Sequence, residues 1–183
     1  MIHSIRVIIV LALLIPFAGC TFDNKSESSS NEEQIDIVVN PTIELFGRIH
    51  YLVGDNQYTE NLLPDYYAEV ENNFGQFSSH PTIDFFKACK IQHQINGDAP
   101  MALAVYIGPP PKLEPKLDLS NLPADLDPRW DSTLISDYLE HARRFAVESN
   151  YMDFHKRQKD FHLAAMYNLK EMLSREQIFA WYA

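Results

Sequence analysis

Six histidines follow His3 in this 183-residue chain, and they are the clearest candidates for metal binding or proton transfer. Zinc-binding helices place two histidines at positions i and i+4, where both imidazoles reach one ion. His155 and His162 are seven positions apart, which corresponds to about 10.5 Å along an uninterrupted helix. We therefore expect these two histidines to flank the apolar stripe of Phe154 and Phe161 without sharing an ion. The sequence predicts no metal-binding residue and no cofactor.

Three acid–base pairs lie four positions apart on predicted helices, a spacing at which side chains meet on one face. Asp137 and His141 form one such pair, and the pattern favours a surface hydrogen bond over a catalytic pair. The other two pairs indicate surface ion pairs, each worth about 0.2–0.5 kcal/mol when exposed: Glu44–Arg48 and Glu140–Arg144.

Sequence motifs of the common enzyme classes are absent. The chain has no Gly-x-Ser-x-Gly nucleophile elbow, no P-loop, no Gly-x-Gly-x-x-Gly and no His-Glu-x-x-His. Cys89 lies in a half-apolar helical segment, which favours a buried small hydrophobic residue over a reactive thiol. We therefore assign no catalytic residue, and the absence of motifs favours a binding role or an incomplete chain.

The N-terminus has the pattern of an export signal. One positive charge, Arg6, precedes an apolar run from Val7 to Ile15, and these nine residues fall short of the roughly 20 that span a bilayer. Phe17-Ala18-Gly19-Cys20 then resembles the lipobox of bacterial lipoproteins, in which the cysteine is acylated and becomes the first residue. The alternative is a conventional secreted protein, cleaved nearby, in which Cys20 is incidental.

This resemblance implies a signal peptide at residues 1–19 and a protein anchored in a membrane of the cell envelope by lipid on Cys20. The residue directly after the cysteine is Thr21. Under the common Gram-negative sorting rule, an Asp at this position keeps a lipoprotein in the inner membrane, so Thr21 favours the outer membrane. The polar, serine-rich residues 20–34 are typical of a flexible tether, because they bury too little apolar surface to fold.

The charge balance limits the partners. The chain carries 25 acidic and 15 basic residues, and removal of residues 1–19 takes away only the base Arg6. An acidic protein without a basic patch is not expected to bind nucleic acid or to adhere electrostatically to anionic lipid. With Cys20 acylated, Cys89 has no cysteine to pair with, so stability must come from packing.

Residues 35–183 predict one mainly α domain, an irregular arrangement of about six helices. Asn40-Pro41 and Gly54 mark the ends of the first helix. Further helices are predicted near 64–77, 81–95, 101–107, 134–146, 151–172 and 178–183, with a short strand or an extended entry segment at 35–39. The almost wholly apolar segment 101–107 is expected at the centre of the core.

Two irregular features complete the predicted domain. Six prolines between residues 108 and 128 indicate a long strap across the surface, with Arg129-Trp130 as its anchor. The run from Ile178 to Ala183 has no helix-stop signal, so the domain is expected to be truncated at its C-terminus. Aromatic residues left uncovered there would promote self-association.

Several segments together resemble a known family: residues 40–47, the His80-Pro81 turn, the small-residue run 99–104, Arg129-Trp130 and the helix from Tyr151 to Phe161. They are similar to the N-terminal half of bacterial lipoproteins catalogued as a domain of unknown function, whose full-length members resemble His-Glu-x-x-His zinc metallopeptidases. The resemblance covers residues 38–183. It implies a catalytic motif farther downstream, so no catalytic residue is transferred to this chain.

The leading functional hypothesis is a membrane-anchored envelope lipoprotein whose helical domain is equivalent to that half and is non-catalytic alone. The alternative is a structural or peptide- or glycan-binding envelope lipoprotein unrelated to peptidases. A metal-dependent enzyme complete within these residues is the third and least favoured hypothesis.

Overall fold

A computed structural model describes residues 36–60 and 64–175 of the chain. Eight α-helices account for most of these residues and confirm the mainly α class. They are α1 (Pro41–Val53), α2 (Asn56–Thr59), α3 (Pro64–Phe74), α4 (Pro81–Gln92), α5 (Ala99–Ala104), α6 (Ser132–Glu148), α7 (Tyr151–Arg157) and α8 (Lys159–Arg175), with a 3₁₀ helix at Gly75–Phe77. The predicted signal peptide, lipidated Cys20, tether and final helix lie outside the described residues.

Helix α1 lies at the centre of the domain, and its predicted ends are confirmed. The Asn40 side chain accepts hydrogen bonds from the backbone N–H groups of Thr42 and Ile43, which have no partner within the helix. Gly54 ends the helix in the left-handed conformation, at φ +75°. Between these caps, α1 packs against α4, α5 and α6 and buries Leu45, Phe46 and Ile49 completely.

An aromatic cluster joins α1, α4 and α6 around Tyr138. The Tyr138 ring makes edge contacts with Phe46, Phe86 and Trp130, with ring centroids 4.7–5.1 Å apart. Such contacts add to the free energy of simple area burial, by about 0.5–1.5 kcal/mol each. The high aromatic content of the sequence therefore serves largely to build the core.

Helix α5 is central, as predicted, but it is shorter than predicted. Five of its six residues are buried, all except Ala102. The helix ends before Ile107 because that residue pairs with Pro115 in an isolated antiparallel bridge. Two backbone hydrogen bonds flank the bridge, from Gly108 to Glu114 and from Lys116 to Tyr106, and they require extended backbone.

The strand alternative predicted for 35–39 is wrong over its described part. Residues 36–40 have no regular secondary structure, and no neighbouring strand in the described residues pairs with them. Alternating β-branched residues fit a strand only where another strand supplies hydrogen bonds. Here the segment leads directly into the Asn40 cap of α1.

The proline-rich strap is present and is fastened at both ends. Trp130 is buried, and its Nε1–H donates to the carbonyl of Ala99 at 2.9 Å. The Arg129 guanidinium pairs with Asp127 and donates to backbone carbonyls after α4. Near the start of the strap, Arg143 of α6 donates to the carbonyls of Lys112 and Leu113. The predicted Arg129-Trp130 anchor is therefore observed.

Helix α3 begins at Pro64 as predicted, and Tyr66 is its first core-facing residue. Tyr66 is buried, whereas Tyr67 is 41% exposed. Val70 and Phe74 continue the buried face, and Phe77 lies in the 3₁₀ helix after α3. Tyr66 faces the core and Tyr67 does not, because Tyr66, Val70 and Phe74 repeat at intervals of four residues and therefore lie on one face of the helix.

The single helix predicted at 151–172 is wrong, because the chain breaks at Gln158 into α7 and α8. Tyr151 and Phe154 of α7 are buried in the core. One face of α8 is exposed, and three large apolar residues of this helix are between 43% and 68% exposed: Leu163, Tyr167 and Met172. On the opposite face, His162 and Leu173 are buried. Among the described residues, no helix combines the length and the hydropathy needed to cross a bilayer.

Candidate functional site

The break at Gln158 brings together two histidines that the sequence separates. The ring centroids of His155 and His162 lie 4.7 Å apart, against the separation of about 10.5 Å expected along one straight helix. The prediction that these residues lie far apart is therefore wrong. We use the name histidine cluster for the six side chains that meet here: Glu44, Arg48, Tyr66, Tyr151, His155 and His162.

Four helices supply the histidine cluster. Helix α1 contributes Glu44 and Arg48, one turn apart, and α3 contributes Tyr66. Residues of α7 and α8 complete the cluster from the other side of the break. Phe161 of α8 stacks on the Tyr66 ring, with centroids 4.3 Å apart and planes nearly parallel. This stacking holds the start of α8 against α3 and places His162 beside Glu44.

Glu44 is the anionic centre of the cluster. Tyr66 Oη donates to Glu44 Oε2 at 2.6 Å, and Arg48 Nη2 donates to both Tyr66 Oη and Glu44 Oε2. The Arg48 guanidinium also lies over the Tyr66 ring, 4.6 Å from its centroid. Burial opposes ionisation of Glu44, but the Arg48 charge and these hydrogen bonds outweigh it and hold the pKa of Glu44 below its usual value. The predicted Glu44–Arg48 pair is thus present, but it is buried rather than exposed.

His162 is buried and incompletely paired. Its Nε2 atom has no hydrogen-bond partner among the described residues and lies 3.9 Å from Glu44 Oε2. Burial lowers the pKa of His162, and the Arg48 charge lowers it further, while Glu44 opposes the shift. The imidazole is therefore held neutral near pH 7 despite the adjacent carboxylate.

His155 is also shifted toward its neutral form. Burial is the largest cause of its lowered pKa, followed by the charge that His162 would carry, with Glu44 opposing. Its Nδ1 atom lies 3.5 Å from Tyr151 Oη, whose proton is donated to the carbonyl of Pro41. Two neutral imidazoles therefore face each other across the corner between α7 and α8.

Two imidazoles and a carboxylate are also the donor types of many metal sites. Here the nearer oxygen of Glu44 already accepts from Tyr66 and Arg48, and the Arg48 cation lies against it. In residues 36–60 and 64–175, no group of three His, Cys, Asp or Glu side chains is arranged to hold an ion. The chemistry that this geometry supports is uptake of protons by the two imidazoles.

A second buried polar group joins α1 to α6. His50 Nε2 lies 3.0 Å from Tyr138 Oη, and His50 Nδ1 lies 3.4 Å from Asp55 Oδ2. Burial lowers the pKa of His50, and Asp55 only partly opposes this. The order carboxylate, imidazole, hydroxyl is that of a hydrolase triad, but His50 and Tyr138 are both fully buried. With no surface for a substrate, this group stabilises the core.

The structure does not form two of the pairs predicted from spacing. His141 stacks on Phe85, with ring centroids 3.9 Å apart, and its Nδ1 makes no hydrogen bond with Asp137. The predicted Glu140–Arg144 pair is wrong, because Arg144 Nε pairs with Glu148 at 2.8 Å, one turn in the opposite direction. Spacing of four allows an ion pair in either direction along a helix, and the sequence does not choose between them.

Cys89 is buried, and burial raises the pKa of its thiol to about 12. The thiol therefore stays protonated near pH 7, which agrees with a packing role. A shallow open cleft of about 160 Å³ lies between the start of α1 and the strap, lined mostly by apolar groups with Lys116 at its edge. It contains none of the histidine cluster, and Lys116 is the one ionisable side chain among the described residues that line it.

Comparison with protein-family models, with curated proteins and with solved structures found no match to this chain.

Proposed function

We propose that this chain is an envelope lipoprotein, held to a membrane through lipid on Cys20, whose helical domain acts without catalysing a reaction. The observation that carries the proposal is the order of the N-terminal segments: a short apolar run, Phe17-Ala18-Gly19-Cys20, and then a polar tether. The described domain begins only a few residues after that tether, with α1 at Pro41.

The charge of the domain supports lipid as the anchor. The chain is acidic, with a formal net charge of −10, so a membrane surface rich in anionic lipid repels it. One acyl chain gives only marginal, reversible binding, whereas two or more give stable attachment. A cysteine carrying several acyl chains supplies this attachment without any transmembrane helix.

The geometry of the polar clusters supports a non-catalytic domain. Glu44 and Tyr66 of the histidine cluster bond to neighbouring side chains, and the His50 group lies inside the core. The cleft beside the strap is lined mainly by apolar groups. A binding or structural role requires only a surface, and the domain offers the exposed apolar residues of α8 for that purpose.

Equivalence to the N-terminal half of metallopeptidase-like lipoproteins is the more specific form of the proposal. It rests on the resemblance of residues 38–183, since no family model supports it. The genomic DNA beyond the codon for Ala183 tests it. A continuation encoding His-Glu-x-x-His supports the equivalence, and unrelated sequence leaves the alternative of a peptide- or glycan-binding envelope lipoprotein.

The anchor is tested by metabolic labelling with radioactive palmitate in a bacterial host, followed by membrane fractionation. We expect the natural chain to take up label and to remain in the membrane fraction. Cys20→Ser should take up no label, whereas Cys89→Ser is the matched control and should label like the natural chain. Equal labelling of Cys20→Ser and the natural chain, or no labelling of either, contradicts the proposal.

A further inference from the structure

The first turn of helix α8 contacts α1 and α3. There, Phe161 stacks on Tyr66 and His162 lies beside Glu44. Within α8, the buried residues are His162 and Leu173, and only His162 belongs to a polar contact with α1. The described contacts of α8 with α1 and α3 therefore lie at the histidine cluster.

The charges around the two histidines are unevenly balanced. The groups that face them are Glu44 and Arg48 from α1, Tyr66 from α3 and Tyr151 from α7. Glu44 is the single anion among these groups, and Arg48 already pairs with it. Two protonated imidazoles would place three cations around one carboxylate, with the imidazole rings only 4.7 Å apart. Like charges at this distance repel strongly in a partly buried site.

We propose that His155 and His162 form an acid-sensitive latch, in which protonation of the two imidazoles releases α8 from α1 and α3 while the core stays folded. Release uncovers the stacked faces of Phe161 and Tyr66 and frees α8 to turn about Gln158. The inference goes beyond the proposed lipoprotein function and does not depend on the anchor.

The direction of the pH effect follows from proton linkage. In the docked state, burial and neighbouring cations lower the pKa of both histidines. In a released α8 the imidazoles are exposed, and their pKa returns toward about 6.5. The docked state therefore binds fewer protons, so docking is fully favourable above about pH 6.5 and weakens as the pH falls below it.

The number of protons that the two imidazoles take up limits how steeply docking of α8 depends on pH. Each imidazole can raise the ratio of released to docked α8 by up to about tenfold per pH unit, until its docked pKa is reached. Glu44 acts in a different range. Its lowered pKa means that its contribution to docking is lost only below its usual value of 4.5. A transition between about pH 6.5 and 5 therefore reports on the histidines.

Amide hydrogen exchange on the whole chain, as purified from cells, measures the latch. Between pH 7.5 and 5, after correction for intrinsic exchange, we expect protection of residues 159–175 to fall at least tenfold while α6 remains protected. The proposal is overturned if α8 and α6 lose protection together, because that is global unfolding. It is also overturned if protection of α8 does not change.

Variants assign the effect to the histidines. The double variant His155→Gln/His162→Gln should keep α8 protected at pH 5, and His93→Gln, at an exposed position after α4, should behave like the natural chain. If the double variant fails to fold, NMR titration of the natural chain replaces it. His155 and His162 should then titrate below about pH 6.5, the ordinary value for an exposed imidazole, and titration at or above that pH contradicts the latch.

Discussion

At the scale of single residues, the hydroxyl of Tyr66 is central to the histidine cluster. It donates to Glu44 at 2.6 Å and accepts from Arg48 at 2.8 Å. Tyr66→Phe keeps the stacked ring but leaves both charged partners less completely bonded, at a cost of about 1–3 kcal/mol in the free energy of unfolding. Chemical denaturation at pH 7.5 measures this cost.

The matched control for that substitution is Tyr167→Phe, which removes a hydroxyl from a side chain that is 68% exposed. We expect a change within about 0.5 kcal/mol for it. Equal destabilisation by the two substitutions would mean that the Tyr66 hydroxyl adds nothing to the stability of the cluster.

Part of the histidine cluster is predictable from the sequence. Glu44 and Arg48 were predicted to pair because four residues form one turn of a helix. His162 carries a second signal, since it falls on the apolar stripe with Met166, Leu169 and Leu173, where a titratable residue is unusual. The proximity of His155 was not predictable from spacing, because it depends on a break whose residue, Gln158, has no strong breaking tendency.

At the scale of helices, one glycine inside α1 and one directly after it test whether a left-handed residue is needed to end the helix. Gly54 has a φ of +75°, a conformation that costs L-residues about 1–2 kcal/mol. Gly47 lies within the helix, and a Cβ there would meet Tyr58 at 3.9 Å, an ordinary contact. We expect Gly54→Ala to lower the unfolding free energy by about 1 kcal/mol and Gly47→Ala to raise it by about 0.5–1 kcal/mol.

Thermal unfolding of the two variants beside the natural chain checks both signs. Both substitutions add the same methyl group, so the contrast isolates backbone conformation. If Gly54→Ala is as stable as the natural chain, the left-handed end of α1 is not required for the fold. If Gly47→Ala is destabilised, its Cβ meets a tighter environment than the helix shows.

Helix ends were predictable where local chemistry marks them. Asn40, Pro41, Gly54 and Pro81 act on their own neighbours, through capping and fixed φ angles, so the sequence identifies them. The strand considered for residues 35–39 could not be decided from local chemistry, because a strand requires a partner that is distant in sequence. The C-terminal half of α8 is helical as predicted, but an apolar stripe does not specify what covers it.

At the scale of the whole molecule, a tightly packed helical domain lies beyond a polar segment and a candidate lipidation site. The core around α1 and Tyr138 stabilises the domain, and the histidine cluster lies where α8 meets α1. An acidic surface keeps such a domain away from anionic headgroups. In the envelope lipoprotein that we propose, attachment then depends on Cys20, and the domain would be free to contact other envelope components.

Mass spectrometry of the N-terminal peptide of the protein purified from membranes tests this account most directly. We predict that the mature chain begins at Cys20 and that this residue carries the mass of a diacylglyceryl group, with or without an added N-acyl chain. A mature chain that begins elsewhere, or that carries an unmodified Cys20 thiol, would contradict the lipid anchor and with it the assignment to the envelope lipoproteins.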